Sequence, residues 1–134
     1  MEPPLPLVGL NILVVDDDED SRFYITTVLE ADGASVTAVA SAAAALKVLP
    51  ELQPDILICD IAMPNEDGYT LIRKIRSQQS DIYRKLPAIA LTAYGDREYR
   101  STALEAGFQI HVGKPIDPGE LVAIVVNLVA SHNN

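Results

Sequence analysis

Carboxylates gather at two points in this chain. One run is Asp16-Asp17-Asp18-Glu19-Asp20, and the other is Asp60 followed by Glu66 and Asp67. Residues 1–67 carry thirteen acids against two bases, Arg22 and Lys47, while 68–134 carry eight bases and six acids. Acid-rich stretches are most often solvated loops. Carboxylates that a fold brings together repel one another and call for compensating charge. An all-oxygen site with few protein ligands suits Mg²⁺, which takes one or two carboxylates and keeps several waters. Whether these acids meet depends on the elements that carry them.

Residues 11–15, Asn-Ile-Leu-Val-Val, form a β-branched run that ends abruptly in acids. Residues 21–31 place Ile25, Val28 and Leu29 at helical spacing, and Gly33 suits the left-handed turn that closes a helix. Residues 35–39 alternate as a strand. Ser41 caps an alanine-rich helix over 42–49, which Pro50 is expected to stop. Residues 55–59 form a strand running into Asp60, and 69–77 a helix with Leu71, Ile72 and Ile75 on one face. Strands at 87–91 and 108–112 flank a short polar helix over 96–106. Asp117, Pro118 and Glu120 open the last helix as N-cap, first helical residue and third. The pattern is β-α five times over, which predicts a parallel sheet with helices on both faces. Continuous apolar strands agree, because both faces of such strands are covered. Residues 1–9 and the last few read as tails.

In sheets of this kind, ligands bind beyond the carboxyl ends of the strands, where strand order reverses. Those ends are Asp16 and Asp17 after the first strand, Asp60 after the third, Thr92 after the fourth and Lys114 after the fifth. Three carboxylates, a hydroxyl and an ammonium would then face one cleft. Such parts suit holding a phosphoryl group while it transfers, a reaction that asks mainly for a nucleophile, positioning and neutralised charge.

Composition excludes other classes. The chain has 134 residues and a net charge of −9, against the basic surface that non-specific nucleic-acid binding requires. Cys59 is the single cysteine, so there is no disulfide framework and no cysteine zinc site; it is expected to be a buried, inert strand residue. The start has no signal-peptide pattern, and no apolar run is long enough to span a membrane. A soluble, cytoplasmic domain is the expectation.

Leu13-Val14-Val15-Asp16-Asp17-Asp18, Cys59-Asp60-Ile61-Ala62-Met63-Pro64-Asn65-Glu66-Asp67-Gly68-Tyr69, Leu91-Thr92-Ala93 and Gly113-Lys114-Pro115 resemble the receiver domain of two-component response regulators. The resemblance covers about residues 10–131, in the same motif order, and is strongest to receivers attached to hybrid histidine kinases. It implies a flavodoxin-like (βα)5 fold with strand order 2-1-3-4-5, framed by tails at 1–9 and 132–134. By the same resemblance Asp60 is the phosphoacceptor, and Asp17, Asp16 (largely through water), Asp60 and the backbone carbonyl of Ala62 hold Mg²⁺. Thr92 would hydrogen-bond a phosphoryl oxygen, Lys114 would pair with the carboxylate or phosphoryl group, and the Lys114-Pro115 bond would be cis. His111 stands where receivers usually have Tyr or Phe, a ring that swings inward as Thr92 moves; a His there keeps the plane and adds a titratable nitrogen. Ala62 and Tyr94 would flank the path of the hydrolytic water.

The resemblance therefore implies a signalling switch that catalyses its own phosphorylation and dephosphorylation rather than an ordinary enzyme. A histidine kinase or histidine phosphotransfer protein would supply the phosphoryl group, and output would pass through a partner, another receiver or onward transfer. Two other readings compete. Asp16-x-Asp18 also matches the two-aspartate opening of haloacid-dehalogenase-type phosphatases, which would make Asp16 the nucleophile but leaves Asp60, Thr92 and Lys114 less well explained. A pseudo-receiver that only binds would typically lack the acceptor or the lysine, and both are present. A homodimer through the last helix is a further expectation: Leu121, Ile124, Val125 and Leu128 form one apolar stripe, and Val122, Val126 and Val129 a second.

Overall fold

The computed structural model describes residues 5–92 and 97–132. The chain runs β1 (Asn11–Val15), α1 (Glu19–Ala31), β2 (Ser35–Val39), α2 (Ala42–Leu52), β3 (Ile56–Asp60), α3 (Gly68–Arg76), α4 (Asp81–Arg84), β4 (Ala88–Thr92), α5 (Arg97–Ala106), β5 (Ile110–Gly113) and α6 (Pro118–His132). All strand pairs are parallel and the sheet order is β2-β1-β3-β4-β5, the doubly wound flavodoxin-like arrangement.

Strand alternation divides the core into two layers. Leu13, Val15, Leu57, Cys59, Ala88 and Ala90 face α2, α3 and α5. Ile12, Val14, Ile56, Ile58, Ile89 and Leu91 face α1 and α6. Register then aligns the strand ends: Val15 pairs with Cys59, Asp60 with Leu91 and Thr92 with Gly113. The first residue past β1 therefore comes level with the last residue of β3, which brings Asp16 and Asp60 to one rim. The chain winds outward from β1 to β2 and returns across β1 to β3, so that rim is the topological switch point.

Local chemistry explains most boundaries. Asp18, Ser41 and Asp67 cap α1, α2 and α3 by accepting the backbone N–H groups of Ser21, Ala44 and Thr70. Asp117 accepts from the N–H of Glu120 at the start of α6. Two expectations fail, and one element carries no sequence signal. Helix α2 runs through Pro50 to Leu52 and ends at Gln53, whose φ of 48° is left-handed; Leu49 and Leu52 pack on the core and hold the last turn despite the lost N–H. The four-residue α4 is too short to show a period. It is fastened by the guanidinium of Arg76, which donates to the carbonyls of Tyr83, Arg84 and Gly107. Leu7, read as tail, is fully buried, and its N–H donates to the Asp32 carbonyl at 2.8 Å. No helix among the described residues is long and apolar enough to cross a membrane.

Candidate functional site

Asp16, at the end of β1, is fully buried and held from several sides. Its Oδ2 accepts from Lys114 Nζ at 2.8 Å and from Ser21 Oγ at 2.6 Å. Its Oδ1 accepts from the backbone N–H of Asp18 at 2.9 Å, and its carbonyl accepts from Arg22 at 2.8 Å. Burying a carboxylate is costly unless it is paired and hydrogen-bonded, and these contacts offset that cost. Asp17 is exposed on the same rim.

Asp60, at the end of β3, is 6% exposed, with Oδ2 3.7 Å from Lys114 Nζ. Burial pushes its carboxyl up to about 6. Lys114 and the N–H of Ala62 oppose that rise, while the negative charges of Asp16 and Asp17 add to it. The ammonium thus sits closer to Asp16 than to Asp60, and Asp60 is the less compensated of the two carboxylates.

Lys114 precedes a cis peptide bond to Pro115, as the resemblance implies, and its N–H donates to the Thr92 carbonyl at 2.7 Å. The hydroxyl of Tyr24 on α1 donates to the Ile116 carbonyl at 2.8 Å and ties the same loop down. Thr92 is 4% exposed, and its Oγ1 lies 2.8 Å from Nε2 of His111 on β5.

One oxygen from each of Asp16, Asp17 and Asp60 lies within 4.8 Å of the others, so a single cation could reach all three. The donor set is all oxygen, and the N–H of Ala62, an exposed residue, bonds to the Asp60 carboxylate. These residues fit Mg²⁺. The structure thus brings Asp16, Asp17, Asp60 and Lys114 together, with Thr92 and His111 joined to each other on the neighbouring strands; Tyr94 lies outside the described residues. Of the remaining acids, Asp18 and Asp67 cap helices, and Glu66 pairs with Lys74.

Sequence reasoning missed Ser21, whose hydroxyl fixes Asp16, and Gly68. A β-carbon on Gly68 would stand 3.0 Å from Ile61 Cα and 3.2 Å from Cys59 Sγ, so α3 can start this close to β3 only because the residue is glycine. Cys59 is buried as expected, and burial pushes its thiol well above the ordinary range.

The family model of the response regulator receiver domain matches residues 12–126. The chain belongs to that family. The receiver is 38% identical to a putative response regulator from Chloroflexus aurantiacus, with a TM-score of 0.85 over 90% of this chain and 98% of that one. It is 44% identical to an uncharacterised 14.6 kDa protein of Leptolyngbya boryana over 89% of each chain. It is also 38% identical to the transcriptional regulatory protein GltR of Pseudomonas aeruginosa, over 90% of the receiver but 49% of that protein. The hybrid signal transduction histidine kinase D of Dictyostelium discoideum matches at 34% identity, and there the receiver spans only 9% of the length. Two-component signalling is thus the setting of this domain. The phosphatase reading falls with the family assignment, and Asp16 is a poor nucleophile besides, since both its oxygens already accept hydrogen bonds within the protein.

Proposed function

We propose that the receiver accepts a phosphoryl group on Asp60 from the phosphohistidine of a histidine kinase or histidine phosphotransfer protein. The observation that supports this most is the gathering of Asp16, Asp17 and Asp60 at the switch point with Lys114 between two of them. An Asp60 oxygen attacks phosphorus, the P–N bond breaks, its electron pair leaves with the imidazole nitrogen, and an acyl phosphate remains on Asp60. Mg²⁺, held by Asp16, Asp17, Asp60 and the Ala62 carbonyl, would neutralise charge on the transferring group. Lys114 is within reach of the Asp60 carboxylate and can follow the charge onto the phosphoryl oxygens, while Thr92 donates its hydroxyl to one of them.

A cavity of 420 Å³ opens beside Lys114, lined by Tyr24, Ile25, Leu91 and Ile116 among others, and the side chain of Phe23 stands exposed on α1. That apolar rim gives a phosphohistidine-bearing partner a surface to rest on, and a cytoplasmic location goes with such a partner. The acyl phosphate then shifts an equilibrium between two conformations of the domain, which is the signal. Homodimerisation is also part of this reading, in a weak form. Val122 and Val129 of the second α6 stripe already pack partly on the domain's own core, which leaves Val126, 37% exposed, as its open residue.

Incubation with Mg²⁺ and acetyl phosphate tests the proposal. The parent protein gains one phosphoryl group by intact mass, Asp60→Asn gains none, and Asp17→Ala binds Mg²⁺ more weakly. Stoichiometric labelling of Asp60→Asn would overturn it.

A further inference from the structure

The β4–β5 register sets His111 beside Ala90 and Thr92 beside Gly113. Side chains two residues apart on a strand share a face, so His111 and Thr92 are diagonal neighbours. Nε2 of His111 approaches Thr92 Oγ1 to 2.8 Å, a full hydrogen bond. Thr92 is buried and His111 half-buried. A threonine hydroxyl has one proton to donate, and an unprotonated imidazole nitrogen is among the better acceptors it can meet.

We propose that Thr92 donates this proton to His111 Nε2 in the unphosphorylated receiver, so that the imidazole competes with the phosphoryl group for it. The inference rests on the reading of Asp60 as acceptor and Thr92 as donor. His111 is then a positioning residue that acts through Thr92. A phosphoryl oxygen on Asp60 that gains the hydroxyl takes it from the ring, and each exchange releases or recaptures the side chain of an edge strand. A ring without nitrogen at this place would offer no competition.

Beryllofluoride with Mg²⁺ serves as the phosphoryl probe, and the side-chain ¹⁵N signal of His111 as an independent readout. At rest, Nε2 should show the signal of an unprotonated, hydrogen-bonded nitrogen, and it should shift when beryllofluoride binds. His111→Phe should bind beryllofluoride about three- to ten-fold more tightly, the worth of one hydrogen bond. His111→Gln, which restores an acceptor, should return toward the parent affinity. In a Thr92→Val background, itself weaker, adding His111→Phe should change nothing further. A protonated Nε2 at rest, unchanged or weaker binding by His111→Phe, or an equal gain in the Thr92→Val background would each overturn the inference. A parent protein that does not bind beryllofluoride would overturn the reading of Asp60 instead, and the resting ¹⁵N signal would still decide the hydrogen bond.

Discussion

A β-carbon on Gly68 would stand 2.6 Å from the carbonyl oxygen of Asp60, closer than any real contact of that kind. The first residue of α3 is therefore pressed against the strand end that bears Asp60, and the N–H of Gly68 donates to the Ile61 carbonyl at 3.0 Å. Gly68→Ala must displace backbone on one side or the other. It should destabilise the fold by about 1–3 kcal/mol, the range for overpacking a tight site. It should also slow phosphoryl uptake, because Asp60 moves. Urea denaturation and the rate of labelling by acetyl phosphate check the two effects, and an unshifted midpoint would contradict the argument.

The raised carboxyl of Asp60 makes a prediction about pH. Its titration rises from an ordinary 3.8 to about 6 in the folded chain, chiefly through burial. The folded state thus binds this proton more tightly than the unfolded state, so the contribution to stability falls as pH rises. The loss is absent below the unfolded value and complete above the folded one. Without Mg²⁺, Asp60→Asn should be more stable than the parent near neutral pH by on the order of 1–3 kcal/mol. The difference should shrink toward pH 4. Thermal unfolding of both proteins across that range in a chelator checks this, and equal stability at every pH would contradict it.

The sheet and the gathering of acids at its rim were legible because their signals are local. Apolar runs stop at Asp16, Asp60 and Lys114, and parallel pairing leaves those stops at one rim. The contacts that hold the rim were not legible. Ser21 reads as an ordinary helix residue until α1 brings its hydroxyl onto Asp16. Gly68 shows its constraint only when β3 is beside it. Pro50 signals a stop that core packing of Leu49 and Leu52 overrides, and Leu7 lacks the length of pattern that would mark it as core. Tertiary contact decided each of these.

The lifetime of the phosphoryl group should respond to Ala62. This residue is exposed next to Asp60 and carries no polar atom with which to orient a water for in-line attack. Ala62→Asn should therefore speed loss of label by a few-fold, about 1 kcal/mol of barrier. Decay of phosphorylated protein after donor removal, at constant Mg²⁺, measures it. No acceleration would show that the side chain at this position does not govern the water.

Pairing through α6 should be weak, since Val126 is the open residue of its second stripe. Light scattering at high micromolar concentration should show a minor dimer that Val126→Glu removes. A parent protein that stays monomeric with and without phosphorylation would contradict the dimer.

The most direct measurement is the address of the acyl phosphate. Labelled with acetyl phosphate and Mg²⁺, then reduced with borohydride and digested, the protein should carry the trapped modification in the peptide that contains Asp60, and at that residue. Trapping at Asp16, or a stable phosphoryl group that borohydride does not reduce, would contradict the account.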